Sequence, residues 1–161
     1  MSILGTIRED LQAARGQDPA ARSNVENALV YSGLHAIWAH RVAHRMWAVP
    51  ALRGPARVLS QLTRFVTGIE IHPGATIGRR LFIDHGMGVV IGETAIIGAG
   101  VRIYQGVTLG ARSFPRDASG ALRKAIARHP IVEDDVVIYA GATILGRVTI
   151  GQGSEIGGNV W

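Results

Sequence analysis

Apolar residues recur at every sixth position through the second half of the chain. The three series are Ile71, Ile77 and Ile83; Ile91, Ile97, Ile103 and Leu109; and Val132, Ile138, Ile144, Ile150 and Ile156. A period of six fits neither an α-helix, at about 3.6 residues per turn, nor a strand, at about two. It is typical of a solenoid in which each repeat forms one short strand and one tight turn, with three faces per coil. The sequence therefore predicts a parallel β-helix, with glycines at its turns.

Two places interrupt this period. Eight residues stand in place of six between Ile83 and Ile91, and they include Asp84 and His85. A polar stretch from 111 to about 130 is the second interruption, and its cationic side chains are Arg112, Arg116, Arg123, Lys124 and Arg128. Loops on a rigid scaffold often carry functional residues, so both interruptions are candidates for a site.

Residues 1 to about 67 show helical spacing instead. The predicted helices run from Ile3 to about Gly16, from Leu34 to Trp47, and from Pro55 to Thr67, with Gly68 as the stop. Asp18 before Pro19, and Ser23 three residues before Glu26, predict helix N-caps. Because the composition changes to glycine and β-branched residues after Gly68, we predict a helical domain at 1–67 and a β-helical domain at 68–161.

The composition limits the classes of function. With 17 Lys+Arg against 12 Asp+Glu, the net charge is +5. A solvated surface and a polyanionic ligand both account for this surplus, and a phosphate-bearing small molecule fits better than nucleic acid, because only 6% of the residues are aromatic. The absence of cysteine excludes disulfides and Cys-ligated zinc. No apolar run approaches the roughly 20 residues of a membrane span, and the N-terminus is unlike a signal peptide, so we expect a cytoplasmic protein.

Histidines are the candidates for metal binding. His40 and His44 are four apart on a predicted helix, but no glutamate lies between them as in an H-E-x-x-H motif, so we expect a solvated helix face. His72, His85 and His129 raise the alternative of the three-histidine zinc site of a β-helical carbonic anhydrase. Their separations of 13 and 44 residues, without an H-x4-H pair, favour a protein without a metal.

His85 is the better candidate for a general base, because histidine titrates near neutral pH. Glu70 precedes it by 15 residues, close to one coil of about 18 residues. A carboxylate on the neighbouring coil could bond one imidazole nitrogen and leave the other to accept a proton. A purely structural histidine is the alternative.

Five segments resemble serine O-acetyltransferases, in the same order and over nearly the whole chain. They are DPAARS (18–23), YSGLHAIWAHRVAHRMW (31–47), TGIEIHPGATIGRRLFIDHGMGVVIGETA (67–95), YQGVTLG (104–110) and RHP (128–130). The resemblance implies an α+β protein with a helical N-terminal domain and a left-handed parallel β-helix, opposite to the usual crossover hand. It also implies trimers with active sites between neighbouring β-helices, which commonly pair into hexamers.

The resemblance implies a role for each matching residue. His85 would take the proton from the serine hydroxyl, and Glu70 would be its carboxylate partner. The substrate-binding residues would be Asp18, Asp84, Arg128 and His129. Arg128 suits a substrate carboxylate because its planar guanidinium matches two oxygens.

The same resemblance implies acetyl-CoA as co-substrate. The activated hydroxyl would attack the thioester in a ternary complex, and amides near Gly110 and Ala111 would stabilise the oxyanion, by about 3 kcal/mol per donor. CoA would lie near Ala140, Gly141 and Gly158. Relatives commonly read GVTLGGT where this chain reads GVTLGAR, and the loop before RHP is longer than in many of them. The first departure is expected to change the backbone approach to the thioester slightly at Ala111, and the longer loop affects the expected acceptor more than the expected reaction.

We therefore expect transfer of acetyl to L-serine, the entry step of cysteine synthesis, with L-cysteine as feedback inhibitor. Homoserine or another hydroxyl acceptor is the first alternative, and a non-catalytic scaffold that binds a partner enzyme is the second. In relatives a C-terminal tail binds O-acetylserine sulfhydrylase, so that partner is expected only if such a tail exists. The apolar end at Val160 and Trp161 is expected to need cover from further chain or from a partner.

Overall fold

The computed structural model describes residues 3–124 and 126–161. A helical segment, residues 3–67, precedes a strand segment, residues 70–156. The helices are α1 (Ile3–Gln17), α2 (Asn24–Val30), α3 (Ser32–Trp47) and α4 (Arg53–Thr67), and a 3-10 turn (Pro50–Leu52) leads into α4.

The helix boundaries confirm some predictions and correct others. Ser23 caps α2, with its Oγ accepting from the Glu26 N–H at 3.1 Å, and Gly68 ends α4 at φ 72°. The helix expected at Pro19 does not exist. Asp18 instead accepts from the Ala20 N–H at 2.7 Å within a turn. The helices α3 and α4 each begin two residues earlier than predicted, and α1 ends one residue later.

Twelve short strands form three parallel sheets, which the chain visits in rotation. Sheet I contains β1 (Glu70–Ile71), β4 (Val90–Ile91), β7 (Thr108–Gly110) and β10 (Thr143–Leu145). Sheet II contains β2 (Thr76–Ile77), β5 (Ile96–Ile97), β8 (Ile131–Val132) and β11 (Thr149–Ile150). Sheet III contains β3 (Phe82–Ile83), β6 (Arg102–Ile103), β9 (Val137–Ile138) and β12 (Glu155–Ile156). The six-residue period and both interruptions are confirmed.

The register explains the period. Ile71 pairs with Ile91 and Ile91 with Leu109, so residues of the apolar series stack directly on one another. These side chains point inward, and Ile71, Ile91, Ile103, Leu109 and Ile138 are all buried. Because every second residue of a strand faces the same way, the intervening polar residues face outward.

The connections between sheets stack into three edges of the strand segment. The I–II edge consists of residues 72–75, 92–95, 111–130 and 146–148, and the II–III edge of 78–81, 98–101, 133–136 and 151–154. The III–I edge consists of 84–89, 104–107 and 139–142. Successive turns are hydrogen-bonded; on the III–I edge the Gly106 N–H donates to the Met87 carbonyl and the Gly141 N–H to the Gln105 carbonyl, each at 2.9 Å.

Helix α3 packs on the strand segment, and this overturns the expected solvated face at His40, whereas His44 is exposed. His40 is buried at 5% exposure, with its ring hydrogen-bonded to the Ala75 backbone. The Nδ1 of His44 lies 2.8 Å from the Pro73 carbonyl oxygen. Helical spacing identified residues that share a face, but it could not show that the His40 part of that face is buried against the I–II edge. No helix among the described residues is long and apolar enough to span a bilayer.

Candidate active site

An open cleft of about 270 Å³ lies where the helical segment meets the III–I edge. Three predicted site residues line it, namely Asp18, Asp84 and His85. The start of α3 supplies Tyr31 and Ser32 to the same cleft. Two carboxylates, a histidine and a phenol therefore converge at one end of α3.

His85 occupies a constrained turn. Its φ of 58° is in the left-handed region, which costs energy for residues other than glycine. The Ser32 hydroxyl donates to the His85 carbonyl at 3.2 Å, and the Gly86 N–H donates to the Asp84 carbonyl at 2.6 Å. The turn thus presents the imidazole to solvent at 72% exposure, with Nε2 4.0 Å from Asp84 Oδ1. A ring held by its backbone and open at its tip can exchange a proton with a bound hydroxyl.

Asp18 and Tyr31 form a hydrogen-bonded pair within the cleft. The Tyr31 hydroxyl donates to Asp18 Oδ2, while Asp18 Oδ1 accepts from the Ala20 N–H. The bond from Tyr31, followed by that from Ala20, lowers the pKa of Asp18. Burial and the same carboxylate raise the pKa of Tyr31 to about 12. Asp18 is therefore an anion near neutral pH, oriented by a phenol that keeps its proton.

A close approach between α3 and β3 holds the cleft walls together. A side chain at Gly33 would overlap the carbonyl oxygen of Ile83, the residue before Asp84. Only glycine allows the helix to approach this backbone so closely. Gly33 therefore sets the distance between the start of α3 and the turn that carries His85.

Glu70 does not contact His85 within one chain. Its Oε2 lies 3.3 Å from Nε of Arg64 on α4, and no hydrogen bond or ion pair joins it to His85 in the part of the chain that the structure describes. The predicted carboxylate–histidine pair is thus not formed in this conformation. Both side chains are partly solvent-exposed and have room to move.

Arg128 and His129 lie on the I–II edge, away from the cleft. Arg128 Nη2 is 2.7 Å from Glu93 Oε2. The Thr94 N–H donates to His129 Nδ1 at 3.1 Å, which places the proton of a neutral ring on Nε2. Burial, and then the charge of Arg128, lower the pKa of His129. The histidine is therefore a neutral hydrogen-bonding group near pH 7.

The residues predicted to contact CoA also divide between the two edges. Gly110 ends β7 and Ala111 begins the extended loop on the I–II edge. The Ala111 N–H donates no hydrogen bond to any described residue, so it is free to meet an oxyanion. Ala140 and Gly141 lie on the III–I edge, and Gly158 follows β12 beside the Ala140 carbonyl. One chain therefore presents two separate parts of the predicted site.

The described histidines and acids form no cluster of three or more that could hold a metal ion. His72, His85 and His129 do not converge. His72 accepts from the Gly74 N–H at 2.9 Å and packs edge-on against Trp47. Burial lowers its pKa to about 4.

Tyr31 and Ser32 were not singled out from the sequence. Tyr31 lies 13 residues after Asp18, and no local motif marks the pair. The only available signal was their place in the segment 31–47, which resembles the acetyltransferases.

Comparisons with known proteins identify relatives of this chain. The family described as Bacterial transferase hexapeptide (six repeats) matches residues 129–161. The plasmid serine acetyltransferase of Synechococcus elongatus is 60% identical over 161 residues, covering 99% of this chain and 50% of the relative. The serine acetyltransferase of Staphylococcus aureus strain MSSA476 is 50% identical over 159 residues, covering 99% of this chain and 69% of the relative. This chain thus spans half the length of the Synechococcus relative.

Solved structures resemble the fold closely. Entamoeba histolytica serine acetyltransferase 1, in complex with L-cysteine, superposes with a TM-score of 0.90 at 43% identity, covering 98% of this chain and 57% of that one. Neisseria gonorrhoeae serine acetyltransferase, in complex with serine, has a TM-score of 0.85 at 36% identity, covering 98% and 60%.

Proposed function

Because this chain belongs to the serine acetyltransferase family, we propose that it transfers acetyl from acetyl-CoA to the hydroxyl of L-serine. His85 removes the hydroxyl proton while the serine oxygen attacks the thioester carbonyl carbon. The tetrahedral intermediate then expels the CoA sulfur, which takes up the proton from the imidazolium. The products are O-acetyl-L-serine and CoA, and no acyl-enzyme forms.

The observation that carries this proposal is the convergence of Asp18, Asp84 and His85 in one cleft. Two carboxylates provide a site for the ammonium group of an amino acid, and the lowered pKa of Asp18 keeps at least one of them charged. The exposed imidazole beside them is available to the substrate hydroxyl. When Glu70 releases Arg64, its carboxylate accepts a hydrogen bond from the imidazole of His85 and orients the ring.

The site requires a second copy of the chain. The cleft on the III–I edge has carboxylates for the substrate ammonium, but the cation suited to the substrate carboxylate, Arg128, lies on the I–II edge. We propose a cyclic trimer in which the I–II edge of one copy faces the III–I edge of the next. Arg128 can hold Glu93 and still bind a carboxylate, since a guanidinium has five N–H groups. His129 donates from Nε2 beside it.

The same arrangement accounts for the two parts of the CoA site. The free amide of Ala111, with Gly110, stabilises the oxyanion from one edge, and Ala140, Gly141 and Gly158 line the path of CoA on the other. The three sheets then form the faces of a left-handed parallel β-helix in a domain of residues 68–161, with residues 1–67 as a helical domain. The TM-score of 0.90 to the Entamoeba enzyme supports that hand.

L-Cysteine is proposed as an inhibitor that occupies the serine position. It differs from serine only by sulfur in place of the hydroxyl oxygen, so the same ammonium and carboxylate contacts hold it. The Entamoeba relative was solved with L-cysteine, which supports this assignment. L-Homoserine is the alternative acceptor, because the same ammonium and carboxylate contacts fit any hydroxylated α-amino acid.

Release of free thiol from acetyl-CoA, measured with L-serine, with L-homoserine and with no acceptor, tests the proposal. We expect serine-dependent release, and we expect His85→Ala to lower turnover by at least about 100-fold, the usual contribution of a general base. CoA binding by the variant, measured by calorimetry, should be unchanged. Unaltered turnover in His85→Ala would remove this residue from the mechanism. Release with homoserine alone would change the acceptor, and no release with either would favour the non-catalytic scaffold.

A further inference from the structure

Thr94 lies on the I–II edge, in the turn between β4 and β5, against the segment that carries Arg128 and His129. Its hydroxyl oxygen accepts from the Arg128 N–H at 2.9 Å and from the His129 N–H at 3.2 Å. The same oxygen lies 2.8 Å from Nδ1 of His129. One threonine therefore contacts both residues that we propose for the substrate carboxylate.

These contacts use the full bonding capacity of the Thr94 hydroxyl, which has one proton to donate and two lone pairs with which to accept. The two backbone N–H groups occupy the lone pairs. Nδ1 of His129 accepts from the Thr94 N–H at 3.1 Å, so it carries no proton and the hydroxyl donates its own proton to it. Two donors from one residue thus hold Nδ1 as an acceptor, and a neutral ring carries its proton on Nε2.

The ring of His129 is also held in position. It is buried at 6% exposure. A side chain at Gly92 would overlap its Cδ2 and Nε2 atoms, so the ring fills space that glycine leaves open. Nη1 of Arg147, on the next coil, donates to the Thr94 carbonyl at 2.8 Å and to the His129 carbonyl at 3.1 Å. The fold therefore sets both the place of Nε2 and its protonation.

The tautomer of His129 decides which chemical group the ring can bind. With the proton on Nε2 the ring donates to a carboxylate oxygen, whereas with the proton on Nδ1 the same Nε2 would present a lone pair to that oxygen. We propose that Thr94 is a specificity-determining residue, which holds His129 as a donor and thereby makes the acceptor site require a carboxylate. Thr94 acts through His129 and Arg128, so it is a positioning residue. This inference rests on the proposed function.

The test compares L-serine with L-serinamide as acceptors. Serinamide keeps the hydroxyl and the ammonium, but a neutral amide replaces the carboxylate, and its NH2 can donate to an acceptor nitrogen. Thr94→Val keeps the shape of the side chain without the hydroxyl. We expect it to lower kcat/KM for L-serine about 10-fold, which corresponds to about one charge-assisted hydrogen bond, mainly through KM. Its kcat/KM for serinamide should stay within about twofold of wild type.

Two matched variants control this comparison. Thr94→Ser keeps the hydroxyl and should retain the wild-type preference for L-serine. Thr149→Val removes an exposed threonine hydroxyl from β11 and should also behave as wild type. Three outcomes would overturn the inference: equal losses of Thr94→Val on both acceptors, an unchanged kcat/KM for L-serine, or a loss in Thr94→Ser as large as that in Thr94→Val.

If wild type releases no thiol at all, the proposed reaction fails separately. Imidazole ¹⁵N NMR at pH 7.5, with the His129 signals assigned by their absence in His129→Gln, then tests the positioning alone. The wild-type ring must carry its proton on Nε2. Thr94→Val, but not Thr94→Ser, must shift the Nδ1 resonance toward that of an acceptor without a hydrogen bond. A proton on Nδ1 in wild type, or an unchanged Nδ1 resonance in Thr94→Val, would contradict the inference.

Discussion

At the scale of one residue, Tyr31 orients a carboxylate that lines the cleft. Its phenol holds Asp18, and Asp18 is the acid proposed for the substrate ammonium. Tyr31→Phe keeps the ring and removes only that bond. We expect the KM for L-serine to rise about 5-fold, less than a fully buried bond to a charged group would give, because Asp18 is near solvent. The KM for acetyl-CoA should stay within twofold.

Steady-state kinetics with each substrate varied in turn would measure both constants. A parallel rise in both KM values would mean that Tyr31 supports the fold of the helical segment rather than the position of Asp18. The melting temperature of the variant gives an independent check on that alternative.

His40 makes the stability of the fold depend on pH. Burial, together with the neighbouring His44 and Arg41, lowers its pKa to about 3, from an ordinary value of 6.5. Its Nδ1 has no hydrogen-bond partner among the described residues, so a protonated ring would be poorly compensated. The unfolded chain binds this proton below pH 6.5 and the folded chain does not. Stability is therefore complete above about pH 6.5 and is lost as the pH falls toward about 3.

We predict that His40 alone removes about 2 kcal/mol of the free energy of unfolding between pH 7.5 and 5.0. Urea unfolding of wild type and His40→Leu at pH 7.5 and at pH 5.0 measures this. The variant should lose less stability between the two pH values, whatever its absolute stability. Equal losses would show that the acid sensitivity comes from other groups, of which His72 is the first candidate, since its pKa is also lowered.

At the scale of the elements, the contact between α3 and β3 positions the catalytic turn. A methyl group at Gly33 would overlap the Ile83 carbonyl, so α3 must shift away from the turn that holds Asp84 and His85. We expect Gly33→Ala to lower kcat by about 10-fold or more, since small displacements of reacting groups are costly. It should also lower the melting temperature.

Gly54→Ala is the matched control, because a methyl group there meets no atom within 4 Å. It lies on α4, where alanine is also the better helix former. Serine-dependent thiol release and thermal unfolding of both variants provide the comparison. Wild-type kcat in Gly33→Ala would mean that the turn keeps its place without this contact.

At the same scale, the positions of the strands could be predicted from the sequence, whereas the hand of the coil and the packing of the helix faces could not. The apolar series predicted the strands because inward residues such as Ile71, Ile91 and Leu109 must stack in register. The same pattern carries no information on the hand of the coil, which only the resemblance implied. Helical spacing grouped His40 with His44, but could not say that their face packs against the I–II edge. Asp18 was identified as a cap, and the side-chain partner of its carboxylate, Tyr31, lies 13 residues further on, between α2 and α3.

At the scale of the whole molecule, the two edges of one chain carry complementary charge. The cleft at the III–I edge is lined by Asp18 and Asp84, whereas the I–II edge has Arg128 and the other cationic side chains of the loop 111–130. An amino acid carries both charges, so one edge alone cannot satisfy it. The sequence could place these residues in motifs, but only the sheet order shows that the RHP motif and His85 are on different edges of the chain.

This division predicts complementation between inactive variants. His85→Ala destroys the base on the III–I edge, and Arg128→Ala destroys the carboxylate contact on the I–II edge. In an equal mixture assembled into cyclic trimers, a site is intact when the first copy retains His85 and the next retains Arg128. Random assembly gives that arrangement in about one quarter of the sites.

Co-expression of the two variants with different affinity tags, and purification through both tags, selects the mixed assemblies. We expect thiol release well above that of either variant alone and approaching about one third of the wild-type rate, because every mixed trimer selected by both tags has one intact site of its three. The double variant His85→Ala/Arg128→Ala, co-expressed with wild type in the same way, is the control, since it keeps both defects in one chain. Activity that does not exceed that of the separate variants would mean that each chain completes its own site, and Arg128 would then need a role within its own copy.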